Sequence, residues 1–213
     1  MALVLIGSAC LIVGIQQHQH PLAGPAQSLK VHEAARAKAA NGQASAGPAK
    51  LTPLATTRST PVELTVSAIS LTVSLSTLGL NADGTVQVPT DAQQPGWFRL
   101  GPTPGEIGSA VILGHVDSHA GPAVFFKLPS LVAGDLVDVG LADGVTAVFK
   151  VTSVATYLKA DFPDNAVYTS NGISALQLVT CGGTFDSATG HYLSNIVVYT
   201  SLTELIPGPA RRR

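Results

Sequence analysis

From Pro61 onward the sequence is cut into short runs of Val, Leu, Ile and Thr, each ended within a few residues by Gly, Asp, Asn or Pro. That punctuation leaves no stretch long enough to hold a helical period, and it is the pattern of strands joined by tight turns. Candidate strands lie at residues 62–68, 71–76, 110–115, 136–139, 147–157, 175–181 and 195–200. Asn81-Ala82-Asp83-Gly84 and Ala142-Asp143-Gly144 supply the side chains and glycines that tight turns require. About 140 residues of this kind suffice for one closed or nearly closed β-barrel with its own core. The pattern predicts an all-β domain over residues 61–203, followed by a tail at 204–213.

The chain before Pro61 has a different composition. Residues 1–15 are almost wholly apolar and uncharged, yet shorter than the roughly 20 residues that span a bilayer as a helix. They resemble the hydrophobic region of an export signal without its usual preceding Lys or Arg, and are expected to serve as a membrane or signal segment. Ser8-Ala9-Cys10 is only loosely like a lipidation site, because Gly7 stands where a larger aliphatic residue is expected. Residues 16–60 are rich in Ala, Gly, Pro, Gln, Ser and Thr and hold too little apolar surface to offset the entropy of ordering them. They read as a flexible linker, with His18, His20 and His32 as solvated side chains rather than metal ligands.

Charge is sparse, at 12% of residues, and the net charge is −1. A nucleic-acid groove needs clustered Lys and Arg, and the one basic cluster here is the terminal Arg211-Arg212-Arg213. Nucleic acid is therefore not an expected partner.

Two positions carry chemistry. Cys181 ends the apolar run Leu176-Gln177-Leu178-Val179-Thr180 and precedes Gly182-Gly183. The other cysteine, Cys10, sits in the N-terminal apolar segment, so a disulfide between the two is not expected and Cys181 reads as a thiol in an exported chain. A strand end followed by glycines can hold a nucleophile rigidly and leave it reachable, and Thr180 sets a hydroxyl next to it in sequence. The ordinary alternative is a small buried hydrophobe. His115, after the run Ala110-Val111-Ile112-Leu113-Gly114, stands where a strand leaves the core. Imidazole carries protons near neutral pH, and a thiol of ordinary pKa about 8.5 needs such a neighbour to be thiolate there.

Several ordered motifs join these two residues. Pro61-Val-Glu-Leu-Thr65, Gly79-Leu-Asn-Ala-Asp-Gly-Thr-Val-Gln-Val-Pro89, Gly96-Trp-Phe98, Gly101-Pro-Thr-Pro-Gly-Glu106, Gly114-His-Val-Asp-Ser118, Gly121-Pro-Ala-Val-Phe-Phe126, Gly134-Asp135, Phe162-Pro163, Val167-Tyr168 and Leu178-Val-Thr-Cys-Gly-Gly183 together resemble a class F (class E/F-type) sortase. The resemblance covers residues 61–201. It implies an eight-stranded closed sortase β-barrel with short helices or turns in its connections, displayed on the outer face of a Gram-positive cell membrane by the N-terminal segment. It also implies transpeptidation without a cofactor. Cys181 would attack the backbone carbonyl of a threonine in a C-terminal sorting signal and form a thioester. His115 would protonate the leaving amine and then help deprotonate an incoming amine from cell-wall peptide or another protein. Water in place of that amine would make the site a hydrolase, and a catalytically weak barrel that binds peptide or wall material is a further alternative.

The resemblance also implies an arginine that donates to the developing oxyanion from the strand after the cysteine. This chain departs from it, because residues 184–201 contain no arginine; His191, Ser194 and Asn195 occupy the region. Either Arg99 supplies the role from another strand, or Asn195 and backbone N–H groups do, or activity is low. Asp117 has two readings, orienting His115 or binding substrate on one side and holding the turn toward Ser118 on the other. Competing motifs fail: Ser187 stands where a Cys-x5-Arg phosphate loop needs arginine, and the His115/His119 pair lacks both the glutamate and the helix of a zinc motif. No metal site is expected.

Overall fold

The computed structural model describes residues 58–169 and 172–209. The N-terminal segment, nearly all of the linker and the terminal arginines lie outside them. Among the described residues no helix is long and apolar enough to cross a membrane.

The strands are β1 (Pro61–Val66), β2 (Leu71–Ser74), β3 (Ser76–Leu78), β4 (Gly96–Phe98), β5 (Gly108–Leu113), β6 (Asp117–Ser118), β7 (Gly121–Pro122), β8 (Leu136–Leu141), β9 (Thr146–Leu158), β10 (Ser174–Asp186) and β11 (His191–Ile206). Nine of them form one sheet in the order β2-β1-β8-β9-β11-β10-β5-β4-β3, and β6 pairs with β7 in a small hairpin. Every predicted run contains a strand, although residues 67 and 68 of the first belong to a 3-10 turn rather than to β1. The turns between them use the expected chemistry: Asp143 Oδ1 accepts the Val145 N–H at 3.0 Å where β8 returns as β9, and Asp83 Oδ1 accepts the Thr85 N–H at 3.0 Å.

The ends of the sheet, β2 and β3, are consecutive in the chain and separated by Leu75 alone. The Leu75 N–H donates to the Val62 carbonyl at 2.9 Å, on the β1 side, while the Ser76 N–H donates to the Pro95 carbonyl at 2.9 Å, just ahead of β4. A single segment, residues 71–78, thus leaves one edge of the sheet and joins the other. It nearly closes the barrel by bringing the two ends of the sheet to one segment. Taken as one bent strand it brings the total to the eight expected; the break at Leu75 makes nine separate strands. β4, the β6–β7 hairpin and a five-residue helix α1 (Asp164–Tyr168) are elements that local pattern did not reveal.

Alternation along β5 and β10 divides two apolar clusters. Ala110, Ile112, Leu176 and Leu178 point into the barrel with Leu64, Phe125, Phe149 and Val198. Val111, Leu113 and Val179 point outward with Val197, and Val86, Phe98 and the α1 residue Val167 cover them. Both faces of this pair are therefore buried, which is why β5 is buried at all six positions. β5 and β10 run parallel, with Leu113 opposite Val179. Near-continuous apolar runs are what a parallel pair covered on both faces needs.

Candidate active site

The parallel register of β5 and β10 brings His115 and Cys181 together. Each lies two residues past the paired Leu113 and Val179, so each emerges on the same outward face at the same level. The Gly114 N–H extends the ladder by donating to the Val179 carbonyl at 3.1 Å. Beyond it the chain turns away, and the predicted strand at 110–115 stops at Leu113. The His115 carbonyl accepts from the Phe125 N–H at 2.9 Å instead of continuing the sheet. Gly114 permits that packing: a Cβ there would lie 2.6 Å from the Phe125 ring, which is fully buried.

His115 Nε2 lies 2.7 Å from the Pro89 carbonyl oxygen. A carbonyl only accepts, so Nε2 carries the proton and Nδ1 is the free acceptor of the neutral ring. Pro89 is delivered by a small hairpin in which Leu80 bridges Val86 and the Gln87 side chain accepts the Gly79 N–H at 2.7 Å. A narrow groove lies between this hairpin and the sheet, lined by Val88, Pro89, Leu113, His115, Cys181 and Asn195 among others. Its wall carries the His115 imidazole and the Cys181 sulfur. Among the described residues no cluster of three or more His, Cys, Asp or Glu could hold a metal ion.

Cys181 is disulfide-bonded in this structure, which corrects the expectation of a free thiol. Cys10, the other cysteine of the sequence, lies outside the described residues. Nucleophilic chemistry at Cys181 belongs to its reduced form, which thiol exchange regenerates.

The strand does not end at Cys181 as expected; β10 continues to Asp186. The two glycines instead make a bulge. Gly182 opposes Ser194, yet Phe185 opposes Tyr192, so β10 carries one extra residue. Gly183 takes φ +74°, a left-handed conformation that favours glycine. The space left by the missing side chains is not open to another chain. A Cβ on Gly182 would lie 2.3 Å from Ile196 Cδ1, and one on Gly183 2.9 Å from Ser194 Oγ.

Asn195 is the direct cross-strand partner of Cys181 and is buried on the groove wall. Such partners stand with Cβ atoms about 5 Å apart. Thr180 is also buried at the groove, but alternation turns its side chain to the barrel interior with Leu176 and Leu178, and its Oγ1 has no hydrogen-bond partner. It does not flank the sulfur as its place in the sequence suggested. Asp117 Oδ2 accepts the Tyr192 hydroxyl, while Ser118 Oγ accepts the Ala120 N–H.

Arg99 is not brought to the groove. It follows β4, whose antiparallel register pairs Gly96 with Leu113 and Trp97 with Ile112. Residue 99 therefore falls back along β5, on the order of 15 Å from the level of His115. Its side chain packs beside Gly79. The cation over the Trp97 ring is Arg58, 5.3 Å from the centroid. Pro89 and Tyr192 are the residues that sequence reasoning missed. A backbone carbonyl leaves no signature in residue type, and a hydroxyl 75 positions from its partner leaves none in spacing.

A family model described as Sortase domain matches residues 64–203. Similar solved structures include sortase C1 from Streptococcus agalactiae, at 18% identity over 67% of this chain and 67% of that one, with a TM-score of 0.51. Sortase A of Listeria monocytogenes matches at 13% identity over 70% of this chain and 90% of that one, with a TM-score of 0.54. At these identities the likeness is one of fold. A search of curated proteins found no match.

Proposed function

The chain belongs to the sortase family, a family of cysteine transpeptidases that act on sorting signals and cell-wall amines, and from that premise we propose how its own residues carry the reaction. The observation that carries the reading is the delivery of His115, just past the end of β5, and Cys181, within the parallel strand β10, to one groove. The reduced Cys181 gives its thiol proton to His115 Nδ1, and the resulting thiolate adds to the threonine carbonyl of a sorting signal. As the tetrahedral intermediate collapses, the C–N bond breaks and the leaving amine takes a proton from His115 Nδ1, giving a thioester. An acceptor amine then adds to the thioester carbonyl, loses a proton to the same Nδ1, and expels the thiolate. The Pro89 carbonyl holds Nε2–H throughout. It thereby orients the imidazole with Nδ1 toward the reacting atoms.

In this reading the oxyanion is met by the Asn195 carboxamide and backbone N–H groups, not by Arg99. A neutral donor in a groove without competing charge stabilises an oxyanion less than a guanidinium does. The motifs of residues 61–183 support a class F (class E/F-type) assignment. The N-terminal apolar segment and the linker support a domain tethered to the outer face of a Gram-positive cell membrane, working on secreted surface proteins and a wall or protein amine.

The test is mass spectrometry of the purified, reduced chain incubated with a small library of Leu-Pro-x-Thr-type peptides, with and without an added amine. The expected result is an adduct on Cys181 that transfers to the amine and is absent in Cys181→Ala and His115→Ala. An adduct released only by water would replace transpeptidation with hydrolysis. Reversible binding that survives Cys181→Ala would reduce the protein to a binding barrel.

A further inference from the structure

We propose that Tyr192 is a positioning residue that holds the His115 loop in register with the hairpin carrying Cys181. This rests on the Cys181–His115 reading above and adds to it the part that keeps the pair together.

After Gly114 the chain leaves the sheet, and its backbone contacts run to elements other than β10 and β11. The Phe125 N–H donates to the His115 carbonyl and the Ala123 N–H to the Val116 carbonyl. His115 Nε2 reaches Pro89. These bonds tie the loop to residues 89 and 123–125, and the last bond to β10 is the Gly114 N–H to the Val179 carbonyl. The Tyr192 hydroxyl supplies a direct link, donating to Asp117 Oδ2 only two residues beyond His115. Tyr192 belongs to β11, three residues before Asn195 and opposite the segment that follows Cys181.

The hydroxyl is aimed by its surroundings. The β10 bulge shifts the register by one, so that Tyr192 faces Phe185, and the two rings meet edge to face with centroids 5.2 Å apart. Without the extra residue Tyr192 would oppose Thr184, which offers no ring. The Gly182-Gly183 pair thus shapes the site at a distance from the sulfur. A hydrogen bond to a carboxylate is about twice as strong as one between neutral groups. In keeping with it, the Tyr192 hydroxyl titrates above its ordinary range, first because of the bond to Asp117 and then through burial.

Tyr192→Phe removes the hydroxyl and keeps the ring. With a peptide that acylates the wild type, kcat falls on the order of tenfold while KM and melting temperature stay close to wild type, because displacing an imidazole slightly affects proton transfer more than binding. Asp117→Ala gives the same loss, Asp117→Asn recovers most of the activity through its remaining carbonyl acceptor, and the Asp117→Ala/Tyr192→Phe double variant is no worse than either single one. A second readout needs no substrate: in reduced protein, the pH at which iodoacetamide half-maximally alkylates Cys181 rises in Tyr192→Phe, in the same direction as in His115→Ala. Wild-type kcat in Tyr192→Phe, multiplying losses in the double variant, or a loss confined to KM would overturn the inference. An alkylation profile that moves in His115→Ala but not in Tyr192→Phe would overturn it alone. A profile that moves in neither would overturn the Cys181–His115 pairing itself.

Discussion

The absence of a side chain at residue 182 shapes the floor beneath the active cysteine, and its cost when filled can be worked from the structure. A Cβ on Gly182 would lie 2.3 Å from Ile196 Cδ1 and 2.7 Å from Cγ1 but 3.9 Å from its Cβ. Carbon atoms prefer about 3.5–4.0 Å. Gly182→Ala therefore drives a methyl about 1 Å too deep into a buried isoleucine. Its φ is not positive, so the penalty is steric. Overpacking of this size costs about 1–3 kcal/mol, set against roughly 0.4–1 kcal/mol gained from a stiffer unfolded chain. Ile196→Ala costs about 2–5 kcal/mol by itself. In the double variant only the two Cβ atoms face each other, at an ordinary 3.9 Å. Gly182→Ala should then cost nothing further in the Ile196→Ala background and keep only its unfolded-chain gain, giving a favourable coupling of about 1–3 kcal/mol. Urea denaturation of the wild type and the three variants under reducing conditions measures that coupling directly. Additive losses, or a neutral Gly182→Ala in the Ile196 background, would show that the glycine is not held by this contact.

The two candidates for the oxyanion role separate cleanly. Asn195→Ala should lower kcat for transpeptidation on the order of tenfold or more, while Arg99→Ala leaves it near wild type; the reverse order, read in single-turnover acylation, would restore Arg99 to the site. The tip of the β10–β11 hairpin should show a pH-dependent contribution to stability. The Ala188 N–H and then the Thr189 hydroxyl hold the Asp186 carboxyl below its ordinary value of 3.8. A depressed acid stabilises above its unfolded pKa and loses that contribution as pH falls through its folded one. The stability gap between wild type and Asp186→Ala should thus be constant above about pH 5 and close below 3.8, as read by urea midpoints across pH; a gap that widens in acid would contradict the sign.

Much of this molecule was legible in its residues because the signals are local. Alternation marks a strand wherever one face meets a core, and Asp-Gly pairs mark turns through their own backbone preferences. The runs ending at Leu113 and Val179 were therefore visible, as were the histidine and cysteine that follow them. What residue order could not supply is register between distant segments. Asn195 faces Cys181, and Arg99 falls back along β5, because of how β11 and β4 pair with their neighbours. The barrel nearly closes through residues 71–78 because one segment, broken at Leu75, borders strands at both ends of the sheet. His115 is oriented by a backbone carbonyl of Pro89, and Asp117 is claimed by Tyr192. Those contacts depend on atoms that every residue shares, or on partners far apart in the chain, and folding alone brings them within reach.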